Sequence, residues 1–214
     1  MKTVAFVPIR LNSKRVIGKN LKKLGNKPLL CYVLDTLVRV TSIDEVYVFC
    51  SSDEILPFLP EGVRWLKRSE DLDRDETLGR EIYDAFVSQV DADLYVLTHT
   101  TSPFIKPETI EIAINQIKEY HFDSALSVEK IQTFTWFKNK PLNYQLDFVP
   151  RTQDLEPIFI ETSAFFMFKK QVWAEKQQRI GNNPYFAVVD KVEGIDIDTP
   201  QDFAFAEQII KISK

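Results

Sequence analysis

The stretch Val4-Ala-Phe-Val-Pro-Ile-Arg-Leu-Asn-Ser-Lys-Arg-Val-Ile-Gly-Lys-Asn20 decides the fold. Residues 4–7 form a β-rich apolar run that stops at Pro8; a polar, basic loop follows, and an apolar helical pattern resumes near Pro28. This is the order expected of a first strand that delivers an anion-handling loop to the carboxyl edge of a sheet. Arg10, Lys14, Arg15, Lys19, Lys22 and Lys23 crowd the loop, and no Asp or Glu occurs before Asp35, although the whole chain carries a net charge of −4. A basic loop in an acidic chain points to a local polyanion, such as a nucleoside triphosphate, rather than to a nucleic-acid surface. Neither Gly-x-x-x-x-Gly-Lys-Ser/Thr nor Gly-x-Gly-x-x-Gly is present, so side-chain charge must do much of the anion binding. The competing reading of the same charges is a solvated loop without a ligand.

Outward from this stretch, apolar residues recur at helical spacing over 28–40, with Pro28 suited to a first turn. Strands are expected at 45–50, 63–66 and 93–98, and helices at 54–59, 76–90 and 107–120, the 76–90 helix packing Leu78, Ile82, Ala85 and Phe86. Ser51-Ser-Asp53 is a helix-entry signal. The alternation predicts a three-layer α/β domain with a mostly parallel, Rossmann-like sheet. Beyond residue 123 the pattern changes. Residues 124–128, 159–168 and 185–189 read as strands, 171–176 as a short helix, and the segment after Pro200 as a final helix. Between them, residues 133–157 are aromatic and polar without a helical period, which suits a small β element or an oligomerisation arm. The expected organisation is therefore one domain, 1–214, with an inserted arm at about 130–160.

At 214 residues, 44% hydrophobic and 27% charged, the chain can bury one sizeable core. Its acidity argues against nucleic acid or an anionic membrane as partner, and no apolar run approaches a bilayer span, so a cytoplasmic protein is expected. Cys31 and Cys50 lie in apolar patterns and read as buried free thiols. The second chemical element is Asp196-Ile-Asp198-Thr-Pro-Gln-Asp202. If this segment is a strand, Asp196 and Asp198 project to one face and, with phosphate oxygens, offer the oxygen shell that Mg²⁺ prefers. The alternative is that Asp198 or Thr199 caps the last helix, which leaves Asp196 without a purpose. Asp202 reads as structural.

Together these segments resemble the acylneuraminate cytidylyltransferase family. The loop Pro8-Ile-Arg-Leu-Asn-Ser-Lys-Arg-x-x-Gly-Lys-Asn20 is similar to its CTP-binding signature, and Arg68-Ser-Glu-Asp-Leu-Asp-Arg-Asp75 to its Arg-Pro-x-x-Leu-x-x-Asp segment. Leu97-Thr-His-Thr-Thr-Ser-Pro103 resembles its Leu-Gln-x-Thr-Ser-Pro strand end, and Ile195-Asp-Ile-Asp-Thr-Pro-Gln-Asp-Phe203 its terminal motif. The segment from Pro150 to Ser163 resembles Arg-Arg-Gln-Asp-x-x-x-x-Tyr-x-Glu-Asn-Gly, with Thr162-Ser163 replacing Asn-Gly. The resemblance implies a GT-A-like nucleotidyltransferase sheet, a dimerisation arm, and transfer of CMP from CTP to a sugar acid. Arg10 and Lys19 would hold the triphosphate, Ser13 and Asn20 would shape the pocket, Lys14 and Arg15 would belong to the loop, and Arg68 would lie near base or ribose. Asp196 and Asp198 would bind Mg²⁺, with Asp198 able to accept the sugar's proton. His99, Arg151, Thr162 and Phe166 fall on the sugar side, where the departures from the pattern concentrate. The expected acceptor is therefore a nonulosonic acid other than N-acetylneuraminic acid, of pseudaminic or legionaminic type. Activation of Kdo (3-deoxy-D-manno-octulosonic acid), another nucleotidyl transfer, a sugar-nucleotide-dependent glycosyltransferase and an inactive nucleotide binder are the alternatives.

Overall fold

Alternate residues of the first strand are buried on opposite sides of a sheet, and that alternation builds the three layers. The computed structural model describes residues 1–13 and 15–212. In chain order the elements are β1 (Thr3–Ile9), β2 (Lys23–Leu24), β3 (Lys27–Pro28), α1 (Leu29–Leu37), β4 (Glu45–Cys50), β5 (Val63–Lys67), α2 (Gly79–Val87) and β6 (Leu94–Thr98). They continue with α3 (Pro107–Glu119), β7 (Ser124–Ile131), β8 (Trp136–Phe137), β9 (Lys140–Pro141), β10 (Ile158–Lys169), α4 (Lys170–Lys176), β11 (Pro184–Val189) and α5 (Pro200–Ile212). Ala5, Val7 and Ile9 pack with α1 and α3, whereas Val4 and Phe6 pack with Phe86 of α2 and Trp173 of α4. No helix among the described residues is long and apolar enough to cross a membrane.

The main sheet has the order β11-β7-β10-β6-β1-β4-β5. Every pairing is parallel except those of β10, which runs antiparallel to β6 and β7. β1 lies between β6 and β4, so its carboxyl end opens where the connections diverge, the place where open α/β sheets bind ligands. β1 runs two residues further than its sequence suggests. Pro8 lies past Phe6, the last residue paired with β6, so its missing N–H leaves that ladder intact.

Three local expectations are corrected. Residues 53–58 form a 3-10 turn capped by the Ser52 hydroxyl rather than an α-helix. The second helix begins at Gly79, and Leu78 is exposed, its N–H donating to the Glu81 carboxylate at the helix start. Residues 195–198 form no strand, although Ile197 is buried and both flanking aspartates remain partly exposed. The arm carries a tight hairpin, β8–β9, whose turn residues Lys138 and Asn139 both have positive φ, 48° and 62°, the signature of a type I′ turn.

β10 contains the irregularity that shapes the site. Four of its residues, 162–165, face the single residue Ser127 of β7. Ser127 Oγ accepts from the Thr162 hydroxyl (2.8 Å) and from the Phe165 N–H (3.2 Å), replacing the lost ladder bonds. Ser163 adopts φ 60° within this bulge, a left-handed conformation at the position where the family pattern has glycine.

Candidate active site

The site collects at the carboxyl ends of β1 and β6, beside the bulge in β10. Its basic loop is fastened by apolar and polar anchors. Val16 is buried in one cluster with Leu24, Leu29, Ile197 and Phe203, so burial brings residues 15–20 against residues 196–198. Asn20 is also buried; its amide donates to the Arg10 carbonyl (2.7 Å) and accepts from the Thr100 hydroxyl (2.6 Å). It therefore ties the β1 loop to the β6 loop. Ser13 lies in the same loop, its N–H on the Leu11 carbonyl (2.9 Å). Lys14 lies outside the described residues.

Two cations converge on Asp198. Arg15 reaches one carboxylate oxygen at 3.0 Å, and Lys19 reaches the other at 3.4 Å while also donating to the Ile197 carbonyl at 2.8 Å. Asp196 behaves differently. Its Oδ1 is buried without a hydrogen-bond partner. Burial pushes its carboxyl up, with the Asp198 charge adding to the rise, against a hydrogen bond from Thr101 and the charge of Lys19. A buried carboxylate oxygen without a donor, beside a second carboxylate, is the environment a hard divalent cation satisfies. No group of three or more His, Cys, Asp or Glu side chains that could hold a metal occurs among the described residues. A cation held here would take two carboxylates and complete its shell from ligand oxygens and water.

On the other side of Arg10 lies a cavity of about 270 Å³, lined in part by Arg10, Arg68, Arg74, Asp75, Tyr83 and His99. Arg10 Nη1 donates to the Asp73 carbonyl (3.2 Å) and to Asp75 (3.1 Å). Arg68 is almost wholly buried; it donates to the Ile9 carbonyl (3.1 Å), pairs with Asp73, and leaves Nε without a partner. Asp73 is held in turn by the Ser51 hydroxyl at 2.5 Å. Buried charge this well paired is positioned rather than free.

His99 sits between the two halves. Its Nδ1–H donates to the Ser163 carbonyl at 2.8 Å, so the bulge orients the ring and leaves Nε2 as an acceptor. Burial holds the imidazole below its ordinary value, the Ser163 carbonyl opposes this, and Arg179 adds to the depression. Two of the remaining sugar-side residues, Phe166 and Thr162, are placed differently from their sequence expectation. Phe166 is fully buried and Thr162 nearly so, its hydroxyl spent on Ser127. Neither presents a surface to a ligand; both support the site from beneath. Arg151 lies on the arm, its guanidinium held by Asp154 at 2.7 and 3.2 Å. Arg179, which the sequence reading missed, lies over the Phe166 ring at 3.6 Å.

A family model described as cytidylyltransferase matches residues 4–213. The chain belongs to the cytidylyltransferase family. It is 29% identical over 231 residues to the CMP-N,N'-diacetyllegionaminic acid synthase of Legionella pneumophila, covering 100% of this chain and 98% of that protein. It is 26% identical over 216 residues to an N-acylneuraminate cytidylyltransferase of Streptococcus agalactiae, covering 95% of this chain but 52% of the relative. The chain thus spans about half the length of that streptococcal protein. Among solved structures, a CMP:2-keto-3-deoxy-manno-octonic acid synthetase complexed with CTP superposes over the full length of both chains with a TM-score of 0.72 at 16% identity, a likeness of fold.

Proposed function

We propose that this chain is an enzyme transferring CMP from CTP to a 2-keto-3-deoxy sugar acid of the nonulosonic type, releasing pyrophosphate. The observation that carries the reading is the pairing of Asp196 and Asp198 against the basic loop, with the buried Asp196 Oδ1 unpartnered. Family membership and the legionaminic-acid relative support it.

In this reading the nucleoside occupies the cavity lined by Arg10, Arg68 and His99, and the triphosphate runs over the loop toward Lys19 and Arg15. Asp196 and Asp198 hold a divalent cation, Mg²⁺, which when bound supplies charge stabilisation to the phosphate oxygens. An anionic ligand draws Arg10, Arg15 and Lys19 from their carboxylates and spreads their charge along the phosphates. The sugar hydroxyl oxygen bonds to the α-phosphorus as the bond from that phosphorus to the β-bridging oxygen breaks. Lys19 and Arg10 offset the charge that develops on the departing pyrophosphate. The hydroxyl's proton passes to Asp198. Asn20 and Ser13 keep the loop in place, and His99 orients the acceptor. Lys14, within the same loop, adds a further positive charge.

The arm leaves Phe134, Trp136, Phe137, Leu146, Phe148 and Val149 exposed, and large apolar side chains exposed along one segment suit an interaction surface. We assign it to a homodimer interface, through which Arg151 reaches the partner's acceptor site. A cytoplasmic enzyme, where CTP is made, feeding surface-glycan synthesis completes the reading.

The test is pyrophosphate release with Mg²⁺, each of the four nucleoside triphosphates and a panel of 2-keto-3-deoxy sugar acids. CTP-specific release with a nonulosonic acid is expected, slower with N-acetylneuraminic acid than with a legionaminic or pseudaminic type. Release from UTP, or none with any acid, rejects the reading. Light scattering at twice the chain mass tests the dimer.

A further inference from the structure

Arg179 lines a second cavity that adjoins the one assigned to the nucleotide. Gly79 and Tyr83 line both spaces. The second, of about 450 Å³, is walled by Tyr83, Trp173 and Ile180, and its charged lining residues among those described are Arg80 and Arg179. Among the described residues no carboxylate lines it. A mostly apolar cavity of this size with one or two cations suits a small anion that also carries apolar substituents.

The placement of Arg179 is built by the chain around it. Gln177 ends α4 at φ 52°, its N–H on the Trp173 carbonyl (2.8 Å), and this left-handed step turns the following residues back toward the sheet. The guanidinium then lies 3.6 Å from the centroid of the buried Phe166 ring, while His99 meets the same ring edge-on at 6.3 Å. Stacking on an immobile ring orients a planar fork for a planar, bidentate partner. Its present partner is Glu161 at 3.3 Å. Both side chains are more than a third exposed, so the pair contributes little and can be exchanged for an incoming carboxylate. His99, which lines the first cavity, and Arg179, which lines the second, thus meet on the one Phe166 ring.

We propose that Arg179 receives the carboxylate of the acceptor sugar acid, while the cavity walled by Tyr83, Trp173 and Ile180 takes its acyl or deoxy-methyl substituents. The inference rests on the cytidylyl-transfer reading above and names the residue by which the site selects an acid over a neutral sugar.

Steady-state kinetics on the full chain test it, with CTP and the sugar acid that the wild type turns over. Arg179→Met should raise KM for the acid roughly 10- to 100-fold, the range of a lost charge-assisted hydrogen bond, with KM for CTP unchanged within twofold. Arg179→Lys should fall between, since it keeps the charge but loses the fork. The methyl ester of the same acid is the second readout: wild type should discriminate against it, and Arg179→Met should not. If Arg179→Met leaves the acid's KM or the preference for acid over ester intact, or raises KM for CTP instead, the inference is overturned while the activity stands. Wild type that releases no pyrophosphate with any acid overturns both. Matching circular dichroism spectra for the variants secure the comparison.

Discussion

Replacing Asp198 by Asn should move nucleotide binding and turnover in opposite directions. The Asp198 carboxylate holds Arg15 at 3.0 Å and Lys19 at 3.4 Å. A triphosphate that uses these cations must first remove them. At 3.4 Å a unit-charge pair is worth about 1 kcal/mol in water-like surroundings and about 5 kcal/mol at an effective dielectric constant near 20. Arg15 is 68% exposed and Asp198 41%, which discounts that contact to about 0.3 kcal/mol, whereas Lys19 is only 12% exposed and its contact is worth about 1 kcal/mol, so the two together cost a ligand about 1–1.5 kcal/mol. Asn keeps the shape and loses the charge. In EDTA, calorimetry should therefore show Asp198→Asn binding CTP about 5- to 10-fold more tightly than wild type. With saturating Mg²⁺, pyrophosphate release should fall by roughly 10³, because one of two carboxylates available to the cation is gone and several kcal/mol of charge stabilisation go with it. Weaker metal-free CTP binding in the variant would refute the reasoning, since it would mean that Lys19 and Arg15 gain nothing by release from Asp198.

Three further outcomes concern the scaffold. Asp123 accepts from the Ser124 hydroxyl and from the N–H groups of Asn182 and Asn183; burial alone would raise its carboxyl, but these bonds prevail and hold it below the ordinary value. A depressed carboxyl stabilises the fold above its unfolded pKa and ceases to as pH falls through the folded one, so the melting difference between wild type and Asp123→Asn should be full near pH 7 and shrink below about pH 4. Gly181→Ala should lower stability by roughly 1–3 kcal/mol in urea unfolding, because a Cβ there would overlap the Asp123 carboxylate. Ser163→Gly should raise the free energy of unfolding in urea by roughly 0.5–1 kcal/mol, the left-handed penalty less the entropy of the freer unfolded chain.

Much of the fold was legible because its elements are short and sharply patterned. The apolar runs at 45–50 and 94–98 announce buried strands, and the order of strand, basic loop and helix announces the ligand edge. What stayed hidden was direction and face. The residues of β10 read as a strand, but nothing local says that it runs against its neighbours; that follows from the arm returning the chain from β7 to the same end of the sheet. Likewise Phe165 and Phe166 are equivalent in pattern. In the fold Phe165 joins the α1–α3 side, while Phe166 lies beneath Arg179. Arg179 itself follows two glutamines in a loop without a motif, and only the turn at Gln177 brings it to the site.

The carboxylates of the site are paired with its cations. Arg10 is held by Asp75, Arg68 by Asp73, Arg15 and Lys19 by Asp198, and Arg179 by Glu161. A concentration of unpaired cations would repel itself and loosen the loop, which is pinned by the burial of Val16 and Ile197 rather than by its charges. Pairing keeps the site near neutrality and leaves the geometry to the apolar anchors. The pairs differ in depth, and depth sorts their roles. Arg68 with Asp73 is buried and stays fixed, whereas the pairs of Arg10, Arg15 and Arg179 are open to solvent on at least one side. Exposed pairs are weak enough to exchange partners, and a buried pair is not. Substrate binding is then an exchange of carboxylate for phosphate or sugar acid at three exposed arginines and Lys19, around a buried arginine that holds the pocket's shape.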